Sequence, residues 1–222
     1  MKRKEKIIEI SKQAFNDKGY GAVNLLEISQ MMDISRGNLT YHFKDKDALL
    51  TAIVDDMWHK VEHESKIVRE LPSFENLHRE VKLYFSIQKE YSFIFLNSHI
   101  ATHPAVRDKI RAMIDQSIED HMGSIAFAIG LGNIKPEPFP GAYRSLAFST
   151  WMVGYYWLSQ QVLRGDVSDE DPEKVAWGLI LPNMTKKGIA SFKKYYGEAY
   201  FNSLGMPLDS DLQESLAQKA EW

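Results

Sequence analysis

A chain of 222 residues is long enough to bury a sizeable core without covalent staples, and 44% hydrophobic against 26% charged residues excludes an intrinsically disordered tract. The absence of cysteine excludes disulfides, thiolate nucleophiles, Cys-ligated zinc and thiol redox sensing, and it sets the expectation of a reducing, cytoplasmic setting. The formal charge of −3 argues against an evenly basic surface, yet residues 1–50 hold nine Lys/Arg against seven Asp/Glu, so positive charge gathers at the N-terminal end.

Helical periodicity recurs along the chain and no run alternates as a strand between hairpin turns, so the expected fold class is all-α. From Arg3 to Lys18, residues Ile7, Ile8, Ile10, Ala14 and Phe15 fall on one arc, with Lys6, Glu9, Lys12 and Asn16 assigned outward. Gly19 follows where a left-handed cap is wanted. Asn24 reads as the N-cap of a short helix ending near Met32, with Glu27 reaching back to it and Ile28, Met31 and Met32 as its inward stripe. Asp33-Ile34-Ser35 makes a turn, and Ser35 caps a second short helix through Phe43. A break at Lys44-Asp45-Lys46-Asp47 introduces a long helix over about 46–67. Beyond Pro72, helices are expected near 74–101, 104–129, 141–164 and 172–196, with Pro182 kinking or splitting the last of them. Residues 205–222 read as a loosely held tail.

No secretory leader is expected, because Glu5, Lys6 and Glu9 interrupt any apolar stretch after Met1-Lys2-Arg3-Lys4. Residues 145–163 carry no charge and approach membrane-spanning length. Six of them (Ser145, Ser149, Thr150, Ser159, Gln160, Gln161) are polar, so a helix buried within a protein is the better reading and no membrane partner is expected.

Two short helices joined by a tight turn, led by an amphipathic helix and followed by a long one, form a unit whose second short helix can enter a DNA major groove. Over Arg36-Gly37-Asn38-Leu39-Thr40-Tyr41-His42 the exposed side presents hydrogen-bond donors, while Leu39 and Phe43, at i and i+4, anchor the inward side. Gly37 has no side chain to hold the helix off DNA.

Over residues 7–54 the sequence resembles the TetR family of transcriptional regulators. The carriers are Ala14-Phe15 with Gly19-Tyr20, Ile28, Ile34-Ser35, Gly37, Leu39, Tyr41-His42-Phe43, Lys46 and Leu49-Leu50. The resemblance implies an N-terminal three-helix DNA-binding head over about 1–50 and a larger helical ligand-binding and dimerising body over about 51–222. It implies base contacts from Arg36, Gly37 and Asn38, and phosphate contacts from Asn24, Tyr41, His42 and Lys46, with Ser35 and Thr40 completing the DNA-facing set. Three positions depart from the family's usual residues: Asn24 stands for Thr, Asp33 for Gly in the turn, and Thr40 for Tyr. The last shortens a frequent DNA contact. Operator DNA, a second copy of the chain and a small apolar or amphipathic ligand are the partners so implied, and a ligand-released repressor is preferred over an activator. An architectural or protein-interaction role without an inducer is the alternative.

His59-Lys60-Val61-Glu62-His63 matches the H-x-x-E-H pattern of inverted zinc peptidases, but no third ligand is marked and a solvated polar face accounts for it. His99 and His103 are spaced to share a helix face, with Pro104 ending the helix there. No metal, cofactor or catalytic residue is therefore assigned. Aromatic residues concentrate near 91–95 and 143–157; core packing is the default, but a helix apolar on nearly every side needs partners on every side. A cavity is expected between the helix of Trp151, Tyr155 and Leu158 and the segment carrying Phe95 and His99, and the helices near 141–164 and 172–196 are expected to pair across a two-fold axis.

Overall fold

Residues 3–165 and 171–205 are described by the computed structural model, and their regular structure is helical apart from one isolated bridge between Ile134 and Met184. The first helix, α1 (Arg3–Lys18), buries Ile7, Ala14 and Phe15 as its apolar arc requires. Next comes α2 (Leu25–Met31), where Asn24 Oδ1 accepts from Glu27 N at 3.0 Å and satisfies an amide that the helix itself cannot pair. Asp33 then enters the left-handed region at φ 52, with Asp33 N donating to Gln30 O and Ile34 N to Ser29 O at 3.1 and 3.0 Å. That bond pair is a Schellman closure, so aspartate performs the turn that glycine would perform with less strain. α3 (Arg36–His42) starts from Ser35, whose Oγ accepts from Asn38 N at 3.1 Å, and α4 (Lys46–Glu70) starts from Asp45, whose Oδ1 accepts from Ala48 N at 2.7 Å.

Two side-chain assignments of this region are corrected. Met31 is 45% exposed rather than inward, because Ile28 and Ser29 already fill the buried face as α2 ends. Lys12 is only 2% exposed rather than outward. Its ammonium donates to Glu9 at 2.6 Å and to Glu90, and lies 4.8 Å from the centre of the Tyr91 ring. Asn16 on the same face donates to Glu90 O at 2.8 Å and accepts from Phe93 N at 3.0 Å. A helix read for one apolar face is here covered on its polar face too, by a later segment that its own periodicity cannot reveal.

That segment also replaces the single helix expected over 74–101 with three: α5 (Phe74–Glu90), α6 (Ser92–Phe95) and α7 (Ser98–Ala101). The break falls at Tyr91, which leaves helical geometry at φ −115, ψ 36 and is fully buried with its hydroxyl donating to Asp56 at 2.5 Å. Asn97 caps α7 through His99 N at 3.0 Å. α8 (Arg107–Gly130) and α9 (Ala142–Leu163) fall close to their expected places, and Glu137 Oε1 accepts from Gly141 N and Tyr143 N, both at 3.1 Å, ahead of α9. Pro182 splits the last long element into α10 (Pro172–Ile180), a single tight turn over Leu181–Asn183, and α11 (Lys186–Tyr196), which α12 (Glu198–Asn202) follows. The expected tail lies, from residue 206 onward, outside the described residues.

Two core clusters result. One joins Ile7, Phe15, Leu39 and Phe43 of the first three helices to Ile53, Tyr91, Phe93 and Ile94, so the N-terminal unit and its support share buried surface. The other gathers Ile118, Ile125, Trp151, Trp177 and Phe192 at the far end. Among the described residues no helix is long and apolar enough to cross a membrane.

The far end closes on a backbone contact. A Cβ on Gly188 would fall well inside contact distance of the Asn133 carbonyl, while Thr185 Oγ1 donates to Gly132 O at 2.7 Å and Lys135 N to Asn183 O at 2.9 Å. Gly188→Ala must push α11 off the 131–135 loop, and urea denaturation should show a loss of at least about 2 kcal/mol.

Candidate nucleic-acid interface and ligand cavity

Leu39 and Phe43 are buried in the core that residues of α1 and α4 also enter, and α3 packs on α2, which leaves the opposite face of α3 in solvent. On that face Arg36 has no hydrogen bond or ion pair among the described residues, and Tyr41 is 86% exposed with its ring edge-on to His42 at 5.3 Å. A Cβ on Gly37 would meet only Ser35 Oγ at 3.9 Å, an ordinary contact, so nothing in the fold itself demands glycine there. Asn24 and Ser35 spend a side-chain oxygen on helix caps, and Thr40 Oγ1 donates back to Gly37 O at 3.1 Å. Asn38 is half-buried beside them, its backbone amide donating to the Ser35 cap.

Lys46 is turned inward. Its ammonium donates to the Tyr20 carbonyl and sits 4.0 Å from the centre of the Tyr20 ring, and burial pushes it below the ordinary lysine range. Lys44, which the sequence reading passed over as part of a helix break, is by contrast a highly exposed base next to the end of α3, its nearest carboxylate Asp45 at 3.8 Å. The signal was present in the sequence as a cation two residues beyond His42.

A cavity of about 540 Å³ lies between α4, α5, α8, α9 and α10. Of the five residues expected to line a ligand site, Trp151 lines this cavity. Phe95 and Tyr155 pack on each other at 5.4 Å and border, with Trp151, only a small neighbouring void of about 30 Å³. Leu158 lines neither space, and neither does His99, which is exposed on α7. The break at Tyr91 is the reason: it sends Phe95 into the core and the next short helix to the surface. Among the described residues no group of three or more His, Asp or Glu is placed to hold a metal; His59 and His63 are exposed, and His103 instead packs edge-on to Tyr20 at 5.9 Å.

The polar groups that do face the cavity come mostly from α5 and α8, outside the aromatic-rich stretches near 91–95 and 143–157. Glu80 Oε1 accepts from Ser65 Oγ at 2.6 Å, and burial pushes its carboxyl above the ordinary range. Asp120 accepts from Arg69 at 2.7 Å and from Gln116 at 2.8 Å. His121 Nδ1 lies 3.2 Å from Thr150 Oγ1 and 3.3 Å from the Ala147 carbonyl, and burial holds its imidazole below the ordinary range, neutral at pH 7. Glu173 is fully engaged by His78 at 2.7 Å, the Tyr196 hydroxyl at 2.7 Å and Trp177 Nε1 at 3.3 Å. The i,i+4 pair Glu80 and Tyr84, a carboxyl beside an aromatic on one face of α5, was the readable clue.

Comparison with known proteins agrees with this geometry. Residues 7–53 match the family described as bacterial regulatory proteins, tetR family, and residues 56–192 match the one described as bacterial transcriptional repressor. The HTH-type transcriptional regulator QacR of Staphylococcus aureus (strain Mu50 / ATCC 700699) is 35% identical over 77 residues, 32% of this chain and 41% of that protein, so the match spans less than half of that relative. A TetR-family regulator from Marinobacter aquaeolei VT8 superposes with a TM-score of 0.76 at 23% identity, covering 88% of this chain and 99% of that one. SmeT of Stenotrophomonas maltophilia, in its complex with triclosan, superposes with a TM-score of 0.62 at 17% identity, covering 84% and 93%. At such identities both structures speak for the fold alone. The two family matches together run through the helix-turn-helix and most of the body, and the chain belongs to the TetR family of bacterial, DNA-binding transcriptional regulators.

Proposed function

We propose that the protein is a cytoplasmic, homodimeric repressor whose head, about residues 1–50, holds an operator and whose body, about 51–222, releases it when a small molecule enters the 540 Å³ cavity. The observation that carries the DNA-binding half is the outer face of α3. An unpartnered guanidinium at Arg36, a bare backbone at Gly37 and an exposed phenol at Tyr41 stand together over two buried anchors. Arg36 and Asn38 are assigned to base edges and Tyr41, His42 and Lys44 to phosphates, with Asn24, Ser35 and Thr40 fixing the helix ends and its surface. Lys46 reaches a phosphate only by leaving Tyr20, so its first role is to brace the head.

Dimerisation is assigned to α9 and α10. Phe148, Met152 and Tyr156 follow i, i+4, i+8 spacing on α9 and are each 43–50% exposed, and Val175 and Leu179 are exposed on the α10 that packs beside it. A two-fold partner presenting the same pair of helices would bury this patch as a four-helix contact. The SmeT–triclosan complex, a structural neighbour, supports reading the body as a ligand-binding unit.

Selection from random DNA should return near-palindromes with half-site centres about 10 bp or a multiple apart, and Arg36→Ala should cost about 1–3 kcal/mol while relaxing preference at particular base pairs. Gly37→Ala should leave the fold as stable or up to about 1 kcal/mol more stable, yet weaken operator binding, because the added methyl meets DNA and not protein. Equal losses on specific and random DNA for Arg36→Ala would remove the base assignment. In sedimentation at micromolar concentration the chain should run at twice 25.5 kDa, and Met152→Glu should shift it to the monomer.

A further inference from the structure

The cavity wall is one-sided in charge. Among the described residues its lining includes Glu80, Asp120 and Glu173 and no Lys or Arg, with Phe74, Tyr84, Trp151 and Trp177 among its aromatic members. Two of those carboxyls are already matched, Asp120 by Arg69 and Glu173 by His78, Tyr196 and Trp177. Glu80 is not: one neutral hydroxyl, Ser65, donates to it, and it forms no ion pair among the described residues. Glu80 is half-buried and desolvated by its surroundings, and a carboxyl so placed without an ion pair works against folding, where an apolar residue of that size would pack at less cost.

Resting on the reading of the cavity as the effector site, we propose that its ligand is an organic cation, an aromatic or alicyclic body with one ammonium or amidinium group that completes the ion pair Glu80 lacks. Tyr84 and Trp151 line the same wall, and an aromatic ring favours a positive charge over its face through its quadrupole, a second reason for a cationic ligand. Carboxylate and phosphate ligands find no Lys or Arg among the described lining residues and meet three acids.

Proton linkage gives the proposal its signature. Burial is the main cause that raises Glu80, Asp120 and Glu64 add to it, and Ser65 and Arg69 oppose it. A bound cation draws Glu80 back to its ionised form and expels a proton, so affinity for a permanently charged cation rises with pH across the range above the ordinary carboxylate value and falls as Glu80 protonates. Of the other groups facing that space, Tyr84 is pushed up and stays protonated, and His121 is pushed down and gains charge only at the acid end. Asp120 keeps Arg69, and Glu173 on α10 keeps its three donors.

The test uses full-length protein and three matched probes: (1-naphthylmethyl)trimethylammonium, its uncharged carbon isostere 1-neopentylnaphthalene, and 1-naphthylacetate. Binding is followed by quenching of the wall tryptophans and by calorimetry between about pH 5.5 and 8. The cation should bind at least about tenfold more tightly than the acetate at the upper pH and weaken as pH falls, while the isostere stays flat. Glu80→Gln, with folding checked by circular dichroism, should remove the cation's advantage and its pH slope and leave the isostere within about twofold. An isostere that binds as tightly as the cation, or an unchanged cation slope in Glu80→Gln, overturns the charge assignment while sparing the cavity. Failure of all three probes to bind overturns both.

Discussion

The arrangement of this protein turns on one buried ammonium. Lys12 projects from α1 into the seam between the DNA-binding helices and the body, where Glu9 and Glu90 accept its hydrogen bonds and the Tyr91 ring lies beneath it. Burial opposes its charge, yet the two carboxylates outweigh that and hold Lys12 above its ordinary range. Lys60 pairs with Glu90 at 2.7 Å from the other side, and Tyr91 fixes the seam to α4 through Asp56. Removing one member of such a cluster leaves the others desolvated and unmatched, so the cluster selects one docking of head on body even where a greasy seam would bind as tightly.

The same cluster explains how a cavity can speak to a DNA-binding surface. α5 carries Phe74, Leu77, Glu80 and Tyr84 on the cavity wall and ends at Glu90 and Tyr91 on α1. α4 likewise begins inside the head at Lys46 and lines the cavity at Val61 and Ser65. Close-packed helices pass on a displacement rather than absorb it, so under the proposed function a ligand that prefers one spacing of α4 and α5 thereby prefers one pose of α1–α3 on the body.

How much of this was legible in the sequence depended on how local the cause was. The caps at Asn24, Ser35 and Asp45, the turn at Asp33 and the split at Pro182 are decided within a few residues, and the sequence announces them. The burial of Lys12 and the interruption at Tyr91 are decided by partners more than 70 residues away in the chain and by a tertiary anchor on Asp56, so helical periodicity alone assigns both incorrectly. The cavity fell between these cases. Trp151 was recognisable from its stripe on α9, but Leu158 shares that stripe without reaching the cavity, Phe95 and His99 were placed by reading 74–101 as one helix, and the groups that give the wall its charge sit on α5, α8 and α10.

Amide hydrogen exchange in the wild-type chain and in Lys12→Met tests the central claim most directly. Methionine keeps the bulk of the side chain and removes the charge. If Lys12 ties head to body, amides of α1, α2 and α3 should lose at least about tenfold in protection while those around Ile125 and Trp151 in the distal core keep theirs. Unchanged protection throughout, or an equal loss in both cores, would contradict it.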